Sequence, residues 1–348
     1  MIDRYFKIVY HYYHFKMNKL VFKLFCLKGL FGLLLAAIVF LSACSITGNV
    51  AQIPEETAKN PEVYFCPRED CSKVLESSIA SANNSVHCAF YDLNLKNVIN
   101  ELSMKSKNAD VKLVIEKDNY EEQIKGNAVK LDSNPSLMHD KFCVIDDYIV
   151  VTGSFNPTEN DNYKNNNNVV VFYSKSLAAN YEDEFNEMWE GVYSKGDKVK
   201  NPIIYINSMK IENYFCPEDK CADKIINLIE NAKYSVYFMT FSFTNEEIGD
   251  ALIKKDELQI KGIFDSSQAS GKYSQLERLQ GFKLDVKKDS NKYKMHHKVF
   301  IIDNETVATG SFNPTLSGDT RNDENLLIIH DKEIAKEFLE EFDGLWSS

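Results

Sequence analysis

The sequence predicts an α/β protein of two like lobes related by an internal duplication, each lobe a mixed sheet flanked by helices. Three observations carry this. Tyr64-Phe65-Cys66-Pro67 recurs as Tyr214-Phe215-Cys216-Pro217, an offset of 150. His139 and Gly153 recur as His296 and Gly310, an offset of 157, so the second copy holds seven more residues in between. Short apolar runs alternate with amphipathic stretches through both copies, the pattern of strands alternating with helices. With 348 residues the chain is long enough for each copy to bury a core of its own.

The elements follow in order. In the first copy strands are expected near Val63–Phe65, Val86–Tyr91, Val111–Ile115, Phe142–Ile145, Ile149–Thr152 and Val169–Phe172, with helices near Ser72–Ala82, Leu95–Met104 and Leu177–Trp189. The second copy repeats them and closes with a helix near Glu333–Leu345. Residues 61–193 and 210–348 are thus the two domains. Gly196 and Pro202 mark 194–209 as a linker, and 45–60, rich in Ala, Glu, Thr and Asn, reads as a flexible tether. The stripe Tyr181, Phe185, Met188 and Trp189 falls at helical spacing and is matched by Phe338, Phe342, Leu345 and Trp346, which marks it as core.

Residues 1–44 read as an address. Gly29 to Leu41 is an apolar run of thirteen residues, with Lys19, Lys23 and Lys28 before it and Ser42-Ala43-Cys44 after it. That length suits a signal-peptide core better than a bilayer span, and Leu41-Ser42-Ala43-Cys44 resembles a bacterial lipobox, with Cys44 as the lipidated residue. The alternative is an uncleaved anchor that recruits Leu20 to Leu27. Met17 opens a more ordinary leader than Met1 does. Both readings place the body outside the cytoplasm, as a membrane-anchored lipoprotein or secreted.

In an oxidising compartment Cys66, Cys71, Cys216 and Cys221, two pairs with the same spacing, are expected to form one local disulfide per copy, with a four-thiolate zinc site as the rival. Cys88 and Cys143 lie in apolar runs and read as small buried hydrophobes.

The net charge is −11, but the first 44 residues hold six of the 40 basic residues and one of the 51 acidic ones, which leaves −16 on the remainder. Such a surface repels polyanions on average, so binding a nucleic acid or an anionic lipid needs a local basic patch.

The chemistry lies in a motif found twice. His139-Asp140-Lys141 leads through Phe142-Cys143-Val144-Ile145 to Asp146, and Gly153-Ser154-Phe155-Asn156 follows; His296-His297-Lys298 leads likewise to Asp303 and then Gly310-Ser311-Phe312-Asn313. On a strand, His139 and Lys141 share a face, as do His296 and Lys298, whereas Asp146 and Asp303 fall on the opposite parity and are expected to hold the following turn although they complete the motif. Ser154 and Asn156, like Ser311 and Asn313, are two apart and are expected to bring a hydroxyl and an amide to one pocket. Asp140 reads as solvated, and His297, His87 and His330 as packing or surface residues.

These paired motifs resemble the HKD signature of the phospholipase D superfamily, and the resemblance runs from about residue 60 to 345. It implies two phospholipase D-like lobes with one active site at their pseudo-twofold interface, made of His139, Lys141, His296 and Lys298 with their motif partners Asp146 and Asp303. It also implies a metal-free, cofactor-free mechanism in which one His forms a phosphohistidine while the other protonates the departing alcohol. Relatives carry Glu at the position that is Glu324 in the second copy and Asn167 in the first. If the supports cross between lobes, Glu324 serves His139 as nucleophile and Asn167 faces His296 as general acid. The leading expectation is a monomeric hydrolase of phospholipid head groups acting at a membrane surface. The alternatives are a metal-independent extracytoplasmic endonuclease and a noncatalytic phosphate-binding surface lipoprotein.

Overall fold

The structure is a computed structural model that describes residues 53–120, 128–132 and 134–348. The leader, Cys26, Cys44 and the start of the expected tether lie outside the described residues.

In the first lobe β2 (Glu62–Cys66), β3 (Ser85–Phe90), β4 (Asp110–Glu116), β5 (Val129–Asp132), β6 (Lys141–Ile145), β7 (Ile149–Gly153) and β8 (Asn167–Tyr173) form a sheet in the order β2-β8-β7-β6-β3-β4-β5. β1 (Glu55–Glu56) is part of the second sheet. With it run β9 (Ile203–Ile206), β10 (Met209–Cys216), β11 (Ser235–Thr240), β12 (Gln259–Phe264), β13 (Asp285–Lys288), β14 (Lys298–Ile302), β15 (Thr306–Gly310) and β16 (Glu324–His330). Their order, β1-β9-β10-β16-β15-β14-β11-β12-β13, repeats the first sheet strand for strand and adds β9 and β1 at one edge. The duplication seen in sequence is therefore a duplication of topology.

That edge corrects two boundaries. Ile203–Ile206, expected within the linker, pairs antiparallel with β10, because Ile204 and Ile206 bury their side chains in the central core. The end of the expected tether is likewise held. Glu55 and Glu56 pair in parallel with Tyr205 and Ile206, and the Glu56 carboxylate accepts from the Lys175 and Ser176 amides that open the helix Lys175–Glu190.

Three apolar clusters follow from the period of two along each strand. Phe142 and Val144 of β6 enter a central core shared by both lobes, while Cys143 and Ile145 enter an outer core under the helices Cys71–Ala80 and Lys96–Lys105. The second lobe has its own outer core under the helices Cys221–Asn231 and Glu246–Ile253. The expected stripe lies in the centre, where Tyr181, Phe185, Phe338 and Phe342 of the helices Lys175–Glu190 and Lys332–Ser347 pack with Phe65 and Phe215.

Disulfides join Cys66 to Cys71 and Cys216 to Cys221. A third corrects the reading of Cys88 and Cys143: they stand opposite each other on β3 and β6, with Cα atoms 4.1 Å apart, and are bonded. Cross-strand register brings together two residues 55 apart in the chain, which no local spacing reveals.

Candidate active site

The site forms where the lead-in to each HKD strand pairs with the other lobe. Met138 bridges Asp323 in parallel, and Asn166 bridges Met295. The His139 amide donates to the Asp323 carbonyl at 3.0 Å, and the His296 amide to the Asn166 carbonyl at 2.8 Å. One residue further along each bridge stand Glu324 and Asn167, so backbone pairing alone delivers each support to the opposite histidine. Nδ1 of His139 lies 2.8 Å from Oε2 of Glu324, and Nδ1 of His296 lies 2.8 Å from Oδ1 of Asn167. Both supports therefore cross between lobes.

Asn167 Nδ2 donates to the Asp161 carbonyl at 3.3 Å, which turns its oxygen toward His296, so Nδ1 of that ring carries the proton. With each Nδ1 engaged, each Nε2 is left for chemistry. The rings are held edge-on by Tyr91 and Phe241, both at 4.8 Å between centroids. Lys141 and Lys298 turn back so that Nζ donates to the carbonyl of His139 at 2.6 Å and of His296 at 2.7 Å. His139, His296, Asn156 and Asn313 line one cavity of about 660 Å³, with Tyr91 and Phe241 on its walls.

Burial sets the charge state. It drives the His139 imidazole well below its ordinary pKa, with Lys141 and Lys298 adding repulsion, and it does the same to His296 beside Lys298 and Lys141. Burial also brings Lys141 down to about 8, holds Lys298 well below the usual ammonium range, and lifts Glu324 to about 8. Two crowded cations and two imidazoles starved of protons make a cavity that gains by taking up an anion. A phosphate between them replaces the lost solvation and favours the charged form of both lysines and of one imidazole, while the other keeps its Nε2 lone pair.

The other expected residues separate into three groups. Asn156 and Asn313 line the cavity, but Ser154 and Ser311 do not: both are fully buried behind it and accept from the amides of Asn168 and Asn325 as β8 and β16 begin. Asp146 and Asp303 lie at the far end of β6 and β14. Asp146 accepts from the amides of Asn83, Asn84 and Ser85, and Asp303 from those of Lys233, Tyr234 and Ser235. They also start two-residue turns with positive φ at Asp146–Asp147 and Asp303–Asn304, a conformation that Asp and Asn tolerate. Gly153 and Gly310 have φ of 142° and 145°, and a Cβ on either would strike the carbonyl of Asn168 or Asn325.

Asp140 departs from expectation. It is fully buried rather than solvated, accepts from Asn325 Nδ2 at 2.6 Å, and is pushed by burial up to about 7. His297 is its counterpart and is also fully buried, with Nδ1 3.2 Å from Asn168 Oδ1. The residues between His and Lys in the two motifs thus join the two lobes. His87 lies 2.9 Å from Glu182 and stacks on Phe185, and His330 lies 2.7 Å from Glu212. Sequence reasoning missed Asp161, which lines the cavity with Oδ2 3.6 Å from Nδ1 of His296. Its signal was available, since the matching position in the second copy is Gly318.

A family model described as "Cardiolipin synthase, PLD-like domain" matches residues 75–189 and 225–346, one segment in each lobe. The chain belongs to the phospholipase D superfamily. A phospholipase D of Rickettsia conorii is 36% identical over 140 residues, which is 40% of this chain and 70% of that protein. A mitochondrial cardiolipin hydrolase of Xenopus tropicalis is 28% identical over 150 residues, 42% of this chain and 70% of the relative. Among solved structures, the phospholipase D family member Nuc from Salmonella typhimurium is 32% identical, with a TM-score of 0.38 over 39% of this chain and 93% of that one. A phosphatidylserine synthase from Haemophilus influenzae is 11% identical with a TM-score of 0.62 over 81% of this chain and 85% of its own, a likeness of fold. The duplicated α/β lobes are those of phospholipase D-like domains.

Proposed function

We propose that this superfamily member is a phospholipase D-like phosphodiesterase that removes head groups from phospholipids through a phosphohistidine. The observation that carries the chemistry is the crossed pair of contacts, Glu324 on His139 and Asn167 on His296, which leaves two Nε2 atoms on one cavity, with Lys141 and Lys298 bonded to the carbonyls of the same two histidines. When the shared proton rides on Nδ1 of His139, the Nε2 lone pair attacks phosphorus. His296 Nε2 gives its proton to the departing oxygen, then takes one from the water that frees His139. Lys141 and Lys298 neutralise the non-bridging oxygens. Relatives named phospholipase D and cardiolipin hydrolase support a lipid substrate. So do Leu137 and Leu316, 39% and 63% exposed, Leu137 on the cavity wall and Leu316 next to the wall residue Thr315. The three disulfides and the lipobox-like Cys44 support action outside the cytoplasm, tethered to a membrane.

A second reading, a nuclease, is favoured by one feature. Lys164 and Lys292 lie within 5.5 Å and 5.1 Å of the Tyr293 ring centre, and Lys292, Tyr293 and Lys294 line the cavity, a basic and aromatic lip suited to a nucleic-acid strand.

The test is incubation of the protein in EDTA with phosphatidylcholine micelles and, separately, with plasmid DNA. Choline release that is lost in His139→Ala is the expected result, and a rapid denaturing quench kept alkaline, where the phosphorus–nitrogen bond survives, should trap the phosphatidyl group on His139. Plasmid nicking without choline release would favour the nuclease. Neither activity would leave a phosphate-binding role.

A further inference from the structure

The two copies differ at two positions that the fold brings side by side. The second copy has Glu324 at the start of β16 and Gly318 in the short helix Leu316–Thr320, whereas the first has Asn167 at the start of β8 and Asp161 in the short helix Glu159–Tyr163. Both differences fall at the offset of 157. Gly318 leaves no room for a side chain: an added Cβ would sit 2.5 Å from the Asn313 carbonyl and 3.3 Å from Thr315 Oγ1. At these two positions each copy therefore sets one carboxylate beside a motif histidine, from the strand in one case and from the helix in the other.

Asp161 is 4% exposed and is fixed on both oxygens. Oδ2 accepts from the Asn156 amide at 2.9 Å and from Asn156 Nδ2 at 2.8 Å, and Oδ1 accepts from Asn165 Nδ2 at 2.6 Å. Oδ2 then lies 3.6 Å from Nδ1 of His296. Asp161 and Glu324 each act electrostatically on both Lys141 and Lys298.

We propose that Asp161 is the positioning residue for His296 as general acid, supplying from the helix the negative charge that Asn167 cannot supply from the strand. This rests on the phosphodiesterase reading above. The Asn167 oxygen accepts Nδ1–H and orients the ring, but an amide carries no net charge, whereas the acid must enter the step as imidazolium. As the bond from His139 Nε2 to phosphorus forms, the bond from phosphorus to the leaving oxygen breaks and its electron pair takes the proton from His296 Nε2. The carboxylate of Asp161, 3.6 Å from Nδ1, stabilises the imidazolium until that proton leaves Nε2.

The test compares two lipids that differ only in the leaving alcohol, phosphatidylcholine and phosphatidyl-p-nitrophenol, in mixed micelles. Nitrophenolate departs without protonation. Asp161→Asn, which keeps shape and loses charge, is expected to lower kcat roughly 10- to 100-fold on phosphatidylcholine and less than about 3-fold on the nitrophenyl lipid. Asp161→Gly with Asn167→Glu, which copies the second lobe, is expected to restore choline release to within about 5-fold of wild type. Equal losses of Asp161→Asn on both lipids, or failure of the double variant to recover a folded protein's activity, overturn the proposal. His139→Ala is the separate control, since activity that survives it on either lipid defeats the phosphohistidine reading itself. If wild type cleaves neither lipid, thymidine p-nitrophenyl phosphate and a dinucleotide serve as the pair, with the same outcomes.

Discussion

Asn325, at the start of the second lobe's β16, donates from Nδ2 to Oδ1 of Asp140, in the first lobe's HKD motif, at 2.6 Å. Its oxygen accepts from Thr152 Oγ1 at 3.0 Å, and its pseudo-equivalent Asn168 faces His297. The residue following each histidine support thus meets the residue following each motif histidine in the opposite lobe. The latch and the active site share one crossing.

The latch predicts a stability loss. Asn325→Ala strips Asp140 of its donor in a fully buried position, where the second carboxylate oxygen already has none. Leaving such a group unsatisfied is expected to cost about 2–4 kcal/mol, read as a lower midpoint in urea unfolding. Unchanged stability would show that the two lobes are held together by the apolar core alone.

Behind the latch the lobes differ in charge. His297 lies 3.4 Å from Glu341, which is 3.3 Å from Arg68, whereas the matching positions are Asp140, Glu184 and Glu218. Burial lifts Asp140 and Glu218 to about 7, Glu184 well above its usual range, and nearby Asp323 to about 9. A carboxyl raised on folding contributes its stability in full below its unfolded value near 4 and loses it as pH climbs through the folded value. Thermal stability is therefore expected to fall between about pH 4 and 9. Glu218→Arg, which copies Arg68, should flatten that fall and raise stability at pH 8 by about 1 kcal/mol, a shift of a few degrees in Tm. A melting curve as steep in pH as wild type would refute it.

Lys141 predicts an alkaline limb. Burial brings its ammonium down to about 8, so the free enzyme loses one phosphate-neutralising charge as pH rises past that point. The logarithm of kcat/KM should fall with unit slope above about pH 8, and Lys141→Arg should move the limb upward, because a guanidinium stays charged. A flat profile to pH 10 in wild type would argue against the role of Lys141.

Asp146 and Asp303 are expected to matter for folding and not for turnover. Burial alone would raise Asp146, but the amides of Asn83, Ser85 and Asn84 overcome it and hold it below its usual value. Its contribution is present above the unfolded value and lost as pH falls through the folded one. Asp146→Ala should cost about 2–3 kcal/mol at pH 7 while the folded fraction keeps its kcat. A specific loss of kcat would place Asp146 in the chemistry.

The sequence alone determined the duplication, the succession of strands and helices along each copy, the His and Lys of each motif, and the opposite parity of Asp146 and Asp303. All of these rest on periodicity or repetition along one chain. Only the tertiary structure decided that Glu324 lies on His139 and Asn167 on His296, that Cys88 meets Cys143, that Asp140 is buried under Asn325, and that Asp161 reaches His296. Each of these joins residues from neighbouring strands or opposite lobes. Such contacts depend on cross-strand register and on the pairing of Met138 with Asp323 and Asn166 with Met295, and these form only when two sheets close on a shared core.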